Sequence, residues 1–202
     1  MPDPGLGEED LMTDEVPTTV IPTGEERKPA PRRWGVIAAF ILLIGLLVLL
    51  GLGLRRTSQG PIGVGDQVPD LVLTTFDEGD IHFSDLRGQV VVVNFWASWC
   101  KPCEGEAVDL EQAYQLYRGQ DVIFLGVDYV DTEPEARAYL ERFNITYPNG
   151  PDLGTRISQA FRIRGVPETY VIGPDGRLAA VMIGPYASLE EIVDHIETAL
   201  AQ

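Results

Sequence analysis

Apolar residues follow three different patterns along the chain. From Trp34 to Leu54 they run without interruption: 21 consecutive residues, WGVIAAFILLIGLLVLLGLGL, carry no charge. At 1.5 Å rise per residue a helix of that length matches the roughly 30 Å hydrocarbon core of a bilayer. A signal-peptide core is shorter, about 7–15 residues, lies nearer the N-terminus and ends in a small-x-small cleavage site. The run therefore reads as a single uncleaved membrane anchor. Further on, the period becomes that of a helix. Ala107, Leu110, Tyr114 and Tyr117 mark a helix from Cys103 to about Arg118. Ala136, Leu140 and Phe143 mark a second, Leu153–Phe161 a short third, and Leu189, Ile192, Val193, Ile196 and Leu200 a last one. Thr132 with Glu135, and Ser188 with Glu191, have the spacing of capping boxes at two of the helix starts.

Between these helices lie β-prone runs. Leu71–Phe76 and Ile81–Phe83 flank the turn Asp77-Glu78-Gly79-Asp80 and predict a hairpin. Val90–Phe95 and Asp121–Tyr129 are apolar with little alternation, as strands covered on both faces are, so Val90–Phe95 is expected in the centre of a sheet. Tyr147-Pro148-Asn149 permits a short extended piece. Thr169–Ile172 and Arg177–Ile183, joined by Gly173-Pro174-Asp175-Gly176, predict a second hairpin. Strands alternating with helices in this order predict an α/β sandwich around a mixed sheet.

Composition divides the chain further. Residues 1–33 are rich in Pro, hold eight acids against four bases and show no apolar period, the composition of a disordered tail. Residues 34–54 form the anchor. Residues 55–65, RRTSQGPIGVG, read as a linker able to reach about 35 Å at roughly 3.3 Å per residue. Residues 66–202 are the folded domain. Arg27, Lys28, Arg32 and Arg33 precede the span and only Arg55 and Arg56 follow it, which favours a cytoplasmic N-terminus and a periplasmic or extracellular domain. Residues 57–202 hold 23 acids against nine bases, most of the formal charge of −16. That balance repels phosphate backbones and argues against nucleic-acid binding.

The chain has two cysteines, Cys100 and Cys103, at the point where Val90–Phe95 gives way to a helix. At a helix N-terminus the unpaired N–H groups and the dipole favour a thiolate, so Cys100 reads as the attacking sulfur. Cys103, three residues on and on the same side of the helix, can resolve a mixed disulfide. Lys101 adds positive charge, and Pro102 suits a first helical turn. Glu104 and Glu106 act in the opposite sense, raising the thiol pKa, which points to a reductant. A purely structural bridge closing so short a loop would constrain little. Zinc would need two more ligands, and His82 and His195 are distant, both expected to face solvent. Haem attachment would need His where Glu104 stands. The reading requires no cofactor and no metal.

NFWASWCKPC, the later Gly165-Val166-Pro167 and the ββα ending resemble the thioredoxin superfamily, specifically its membrane-anchored TlpA, ResA and CcmG (DsbE) branch, over about residues 64–200. The resemblance implies a thioredoxin-like fold with an N-terminal hairpin and an inserted helix and strand. It makes Cys100 and Cys103 the redox pair, and Pro167 a cis-proline beside them that leaves a backbone edge for substrate. Trp99, Val166 and Glu168 fall on the substrate-facing side, and Glu106 is the acid that tunes the thiols. Asn94 stands where thioredoxin has a buried aspartate. Glu168-Thr169 after the proline is the CcmG-type sequence, so the implied substrate is an oxidised Cys-x-x-Cys in apocytochrome c, with electrons from a membrane thiol carrier. A peroxide-reducing redoxin and a copper chaperone are the alternatives. The first lacks its Thr-x-x-Cys, and the second its wider cysteine spacing and distal histidine.

Overall fold

The computed structural model describes residues 32–57 and 61–202. The acidic tail expected over residues 1–33 lies almost wholly outside them. Helix α1 spans Arg32–Thr57, so the first residues assigned to the linker are still helical; Arg continues a helix readily once the apolar run ends. Within it Trp34–Leu52 is long and apolar enough to cross a membrane.

The remainder is built on a five-stranded mixed sheet. Strands β3 (Val90–Trp96), β4 (Val122–Asp128) and β5 (Asn149–Pro151) are parallel. Strand β6 (Glu168–Ile172) pairs antiparallel with β3, and β7 (Leu178–Ile183) antiparallel with β6, giving the order β5-β4-β3-β6-β7. The first hairpin, β1 (Val72–Thr74) with β2 (Asp80–His82), is a separate two-stranded sheet. Phe83, expected to end its second strand, instead opens a 3-10 turn over Phe83–Leu86. Helices α2 (Lys101–Tyr117), α3 (Glu133–Phe143), α4 (Arg156–Phe161) and α5 (Leu189–Leu200) complete the unit.

Strand β3 is central, and all seven of its residues are buried. Its apolar run hides an alternation imposed by the pleat. Val90 and Val92 pack with Leu110, Ala113 and Tyr117 of α2 and Ile192 and Ile196 of α5. Val91, Val93 and Phe95 pack on the other side with Leu73, Phe83, and Ile157 and Phe161 of α4. Asn94 and Trp96 therefore belong to the α2 side.

Three local expectations are corrected. Helix α4 starts at Arg156 rather than Leu153, because the Asp152 carboxylate takes the N–H groups of Ile157 and Ser158 and the Ser158 hydroxyl. In α3 the Thr132 hydroxyl donates to the Glu135 carboxylate and caps no backbone N–H. In α5 Ala199 takes the inward position of the last turn and Leu200 is exposed. The Ser188 cap forms as expected, accepting from the Glu191 N–H.

Candidate active site

Strand β3 ends at Trp96, and Ala97–Trp99 turn the chain into α2 with Cys100 as its N-cap. Cys100 is extended (φ −84°, ψ 102°) and its sulfur accepts from the Cys103 N–H at 3.2 Å. One otherwise unpaired helical N–H is thus aimed at the sulfur, the arrangement that stabilises a thiolate. Cys100 and Cys103 are joined as a disulfide with a Cα separation of 5.3 Å. Cys100 is 3 % exposed and Cys103 1 %, whereas Trp99 is 60 % exposed. The pair packs with Trp96, Ala97, Ala107, Ala136 and Tyr139, and Val166 closes on the same cluster. The Val166–Pro167 peptide is cis, and Pro167 is buried.

Trp96 is held from two sides. It stacks on Tyr139 at 4.5 Å and donates its indole N–H to Asn149 Oδ1 at 2.8 Å. Gly126 makes room for this: a Cβ there would lie 1.6 Å from Asn149 Oδ1.

Glu106, one turn beyond Cys103, is buried on the α2 side of the sheet. Its Oε1 accepts from Asn94 Nδ2 at 3.0 Å and its Oε2 from the Tyr186 N–H at 2.8 Å. Asn94 also donates to Thr169 Oγ1 at 2.9 Å, so one amide bridges β3, α2 and β6. Burial pushes the Glu106 carboxyl up to about 7, the two hydrogen bonds pulling the other way. A carboxyl poised there can hold or release a proton near neutral pH.

Glu104 does not act as expected. Lys101 at 2.7 Å and Arg142 at 3.3 Å take its charge, and the Lys101 hydrogen bond first of all holds its carboxyl below the usual range. Neither Lys101 nor Glu104 is left as a free charge beside the thiols.

The sequence model of the AhpC/TSA family matches residues 64–181. The chain belongs to this family. It is 30 % identical over 161 residues to the thiol-disulfide oxidoreductase ResA of Geobacillus thermodenitrificans (strain NG80-2), covering 78 % of this chain and 92 % of that one. To ResA of Bacillus subtilis (strain 168) it is 25 % identical over 152 residues, 75 % and 83 % of the two chains. A solved thiol:disulfide interchange protein of the thioredoxin family from Chlorobium tepidum TLS superposes with a TM-score of 0.62 at 26 % identity, covering 69 % of this chain and 99 % of that one. The fold is thioredoxin-like, and this AhpC/TSA-family chain is a thiol-disulfide oxidoreductase of the ResA type.

Within that frame the structure brings Cys100, Cys103, Trp99, Val166 and Pro167 together around one loop, with Glu106 one helical turn behind them. Glu168 is different. It is buried, on the opposite face of the sheet from Asn94, and its carboxylate accepts from the Arg164 N–H at 2.8 Å and the Tyr170 hydroxyl at 2.6 Å. It braces the segment leading into the cis peptide from inside and presents no free oxygen to a substrate. His195, expected in solvent, is half-buried, with its Nδ1 2.9 Å from the Tyr186 hydroxyl; His82 is exposed.

Sequence reasoning missed Tyr186 and Thr169 as partners in the Glu106 network, because those bonds join residues 80 and 75 positions apart. It also missed Asp128 and Asp131, both buried. Their one visible signal was an acid ending an otherwise apolar strand.

Proposed function

We propose that this oxidoreductase is an anchored, extracytoplasmic reductant of protein disulfides, and that its substrate is the oxidised Cys-x-x-Cys of apocytochrome c. The observation that carries the reductant reading is Glu106: a buried carboxyl with a raised pKa one turn from Cys103 makes negative charge on the thiols costly. That disfavours the very low thiol pKa of a strong oxidant.

In the reduced protein the Cys100 thiolate attacks one sulfur of the substrate disulfide, and the other substrate sulfur leaves as a thiolate and takes a proton. Cys103 then loses its proton and attacks Cys100, which releases the second substrate thiol. Two electrons pass to the substrate and the protein is left with the Cys100–Cys103 disulfide. A membrane thiol carrier returns the electrons. Trp99, Val166 and Pro167 form the substrate-facing rim, Glu168 supports it from within, and Glu106 holds the proton that the thiol chemistry exchanges. The basic residues before the apolar span favour a cytoplasmic N-terminus, leaving residues 66–202 as a domain outside the membrane on residues 55–65.

Cys103→Ala in the full chain tests the substrate. Without the resolving thiol, Cys100 accumulates mixed disulfides, and apocytochrome c is expected among the captured proteins. A captured set without apocytochrome c removes it as the substrate, and no mixed disulfide at all removes Cys100 as the nucleophile.

A further inference from the structure

Behind the cysteine loop lies a second acidic group outside the thiol network. Asp128, the last residue of β4, is 1 % exposed. Among the described residues no N–H or O–H donates to either of its carboxylate oxygens. Asp131, three residues on and also buried, is the reverse case. Its Oδ2 accepts from the Ser98 N–H at 2.6 Å and its Oδ1 from the Thr132 N–H at 2.8 Å.

A buried carboxylate without a donor is among the costliest groups a protein can hold, whereas one accepting from two N–H groups is stabilised as the anion. Two adjoining carboxyl groups in such surroundings resolve the conflict by retaining one proton, placed on the oxygen that lacks donors. Asp128 then donates to Asp131 through one oxygen, and the other, now part of a neutral carboxyl, is far less costly to leave without a donor than an anion would be.

The anion so maintained touches the active-site loop. Ser98 lies two residues before Cys100, whose own N–H donates to the Ala97 carbonyl at 3.1 Å. Two further ties join the same two loops: the Tyr129 N–H donates to the Trp96 carbonyl at 2.8 Å, and the Trp99 indole N–H to the Val130 carbonyl at 3.3 Å. Val130 adopts the left-handed region (φ 49°), uncommon for a β-branched residue, and is 49 % exposed beside Trp99.

We propose that Asp128 and Asp131 share one proton, and that Asp131, kept anionic by this sharing, is a positioning residue that fixes the loop presenting Cys100. Burial first, and then the Asp131 charge, push the Asp128 carboxyl up to about 7. The other charged groups near the pair are already engaged. Asp152, beyond β5, is taken by Ile157 and Ser158. Glu133 of α3 is paired with Arg137, and Glu135 takes the Thr132 hydroxyl. Glu106 of α2 is held by Asn94 and Tyr186. Below neutral pH the proton is in place and Ser98 is pinned. Above it Asp128 ionises, two carboxylates face each other, and Asp131 is driven off the Ser98 amide.

This deepens the reading of Cys100 as the nucleophile and rests on it only for the rate arm of the test. The full-length protein in detergent micelles, labelled with nitrogen-15, is titrated from about pH 5.5 to 8.5 while the Ser98 amide proton is followed by NMR. A short charge-assisted bond places that proton far downfield. The wild type is expected to lose the downfield shift in one step near neutral pH. Asp128→Asn is expected to keep it across the range, Asp131→Asn to lack it throughout, and Glu106→Gln to retain the wild-type step. Absence of the step in the wild type, its persistence in Asp128→Asn or its loss in Glu106→Gln overturns the shared proton.

In the second arm the reduced proteins react with a disulfide-bridged Cys-x-x-Cys peptide. Asp131→Asn is expected to exchange about tenfold more slowly at pH 6.5, the scale of a displaced reacting group. A wild-type rate in Asp131→Asn overturns the positioning role. A wild-type protein that exchanges with no peptide while the Ser98 step is present breaks the nucleophile reading and leaves the shared proton standing.

Discussion

Glu106 and Asp128 are both buried acids close to the cysteine loop, and in both the carboxyl is pushed up to about 7, chiefly by burial. Their surroundings are otherwise opposite. Glu106 has a donor on each oxygen, one from a side chain of β3 and one from the backbone before α5. Asp128 has none, and a second acid stands beside it. The same displacement is thus reached by two routes. At Glu106 desolvation outweighs two hydrogen bonds that favour the anion; at Asp128 desolvation and a like charge act together. A raised carboxyl pKa therefore identifies neither a proton carrier nor a strut, and the partners decide which it is.

The comparison is sharpened most by stability against pH. A carboxyl whose pKa is higher in the native state than in the unfolded chain binds more protons when folded, so its contribution is fully present below the unfolded value and is lost as pH rises to the native one. For these two groups that window runs from about pH 4 to about pH 7. Each shift corresponds to a pH-dependent span on the order of 3 kcal/mol. In urea unfolding followed by circular dichroism, Asp128→Asn and Glu106→Gln are each expected to remove about half of the decline between pH 4.5 and 7.5. If Asp128→Asn leaves the slope intact, Asp128 is ionised throughout and the two sites are not alike.

A smaller effect comes from turning a donor into an acceptor. Asn94→Asp sets a second acid against Glu106, and a loss of about 2 kcal/mol is expected at pH 8, the scale of a buried polar group deprived of its partner. The loss shrinks at pH 5.5, where Glu106 keeps its proton. An equal loss at both pH values would mean that Asn94 matters to Glu106 only through packing.

The smallest change is at the far end of the network. Tyr186→Phe keeps the backbone N–H that Glu106 uses and removes the hydroxyl bonded to His195. It is expected to cost about 1 kcal/mol, with no change in the Glu106 titration followed by carboxyl-carbon NMR. A moved midpoint would tie His195 to the thiol site.

The elements were largely legible because long apolar runs and helical periods are local properties. Val90–Trp96, Val122–Asp128 and α2 all appear where the pattern placed them. The cysteines were legible from their spacing at a strand-helix junction, whereas Glu106 and the cis-proline were singled out only by the family resemblance. The departures fall where a residue's fate depends on a distant partner. Glu168 follows a proline and precedes an apolar strand, and only the Arg164 amide and the Tyr170 hydroxyl turn it inward. His195 sits off the Ile192–Ile196 face, and the fold brings Tyr186 against it. Asp131 reads as an ordinary turn residue until the fold carries Ser98 back to it.

The alternation within β3 has a bearing on how such a protein can change. Asn94 is the strand's one polar side chain, and it shares the α2 side with Glu106 and Thr169, while Val91, Val93 and Phe95 fill the opposite side with apolar partners. The buried polar network is thereby confined to one side of the strand. Substitutions at Asn94, Glu106 or Thr169 alter that polar network while leaving the apolar contacts of Val91, Val93 and Phe95 on the far side in place.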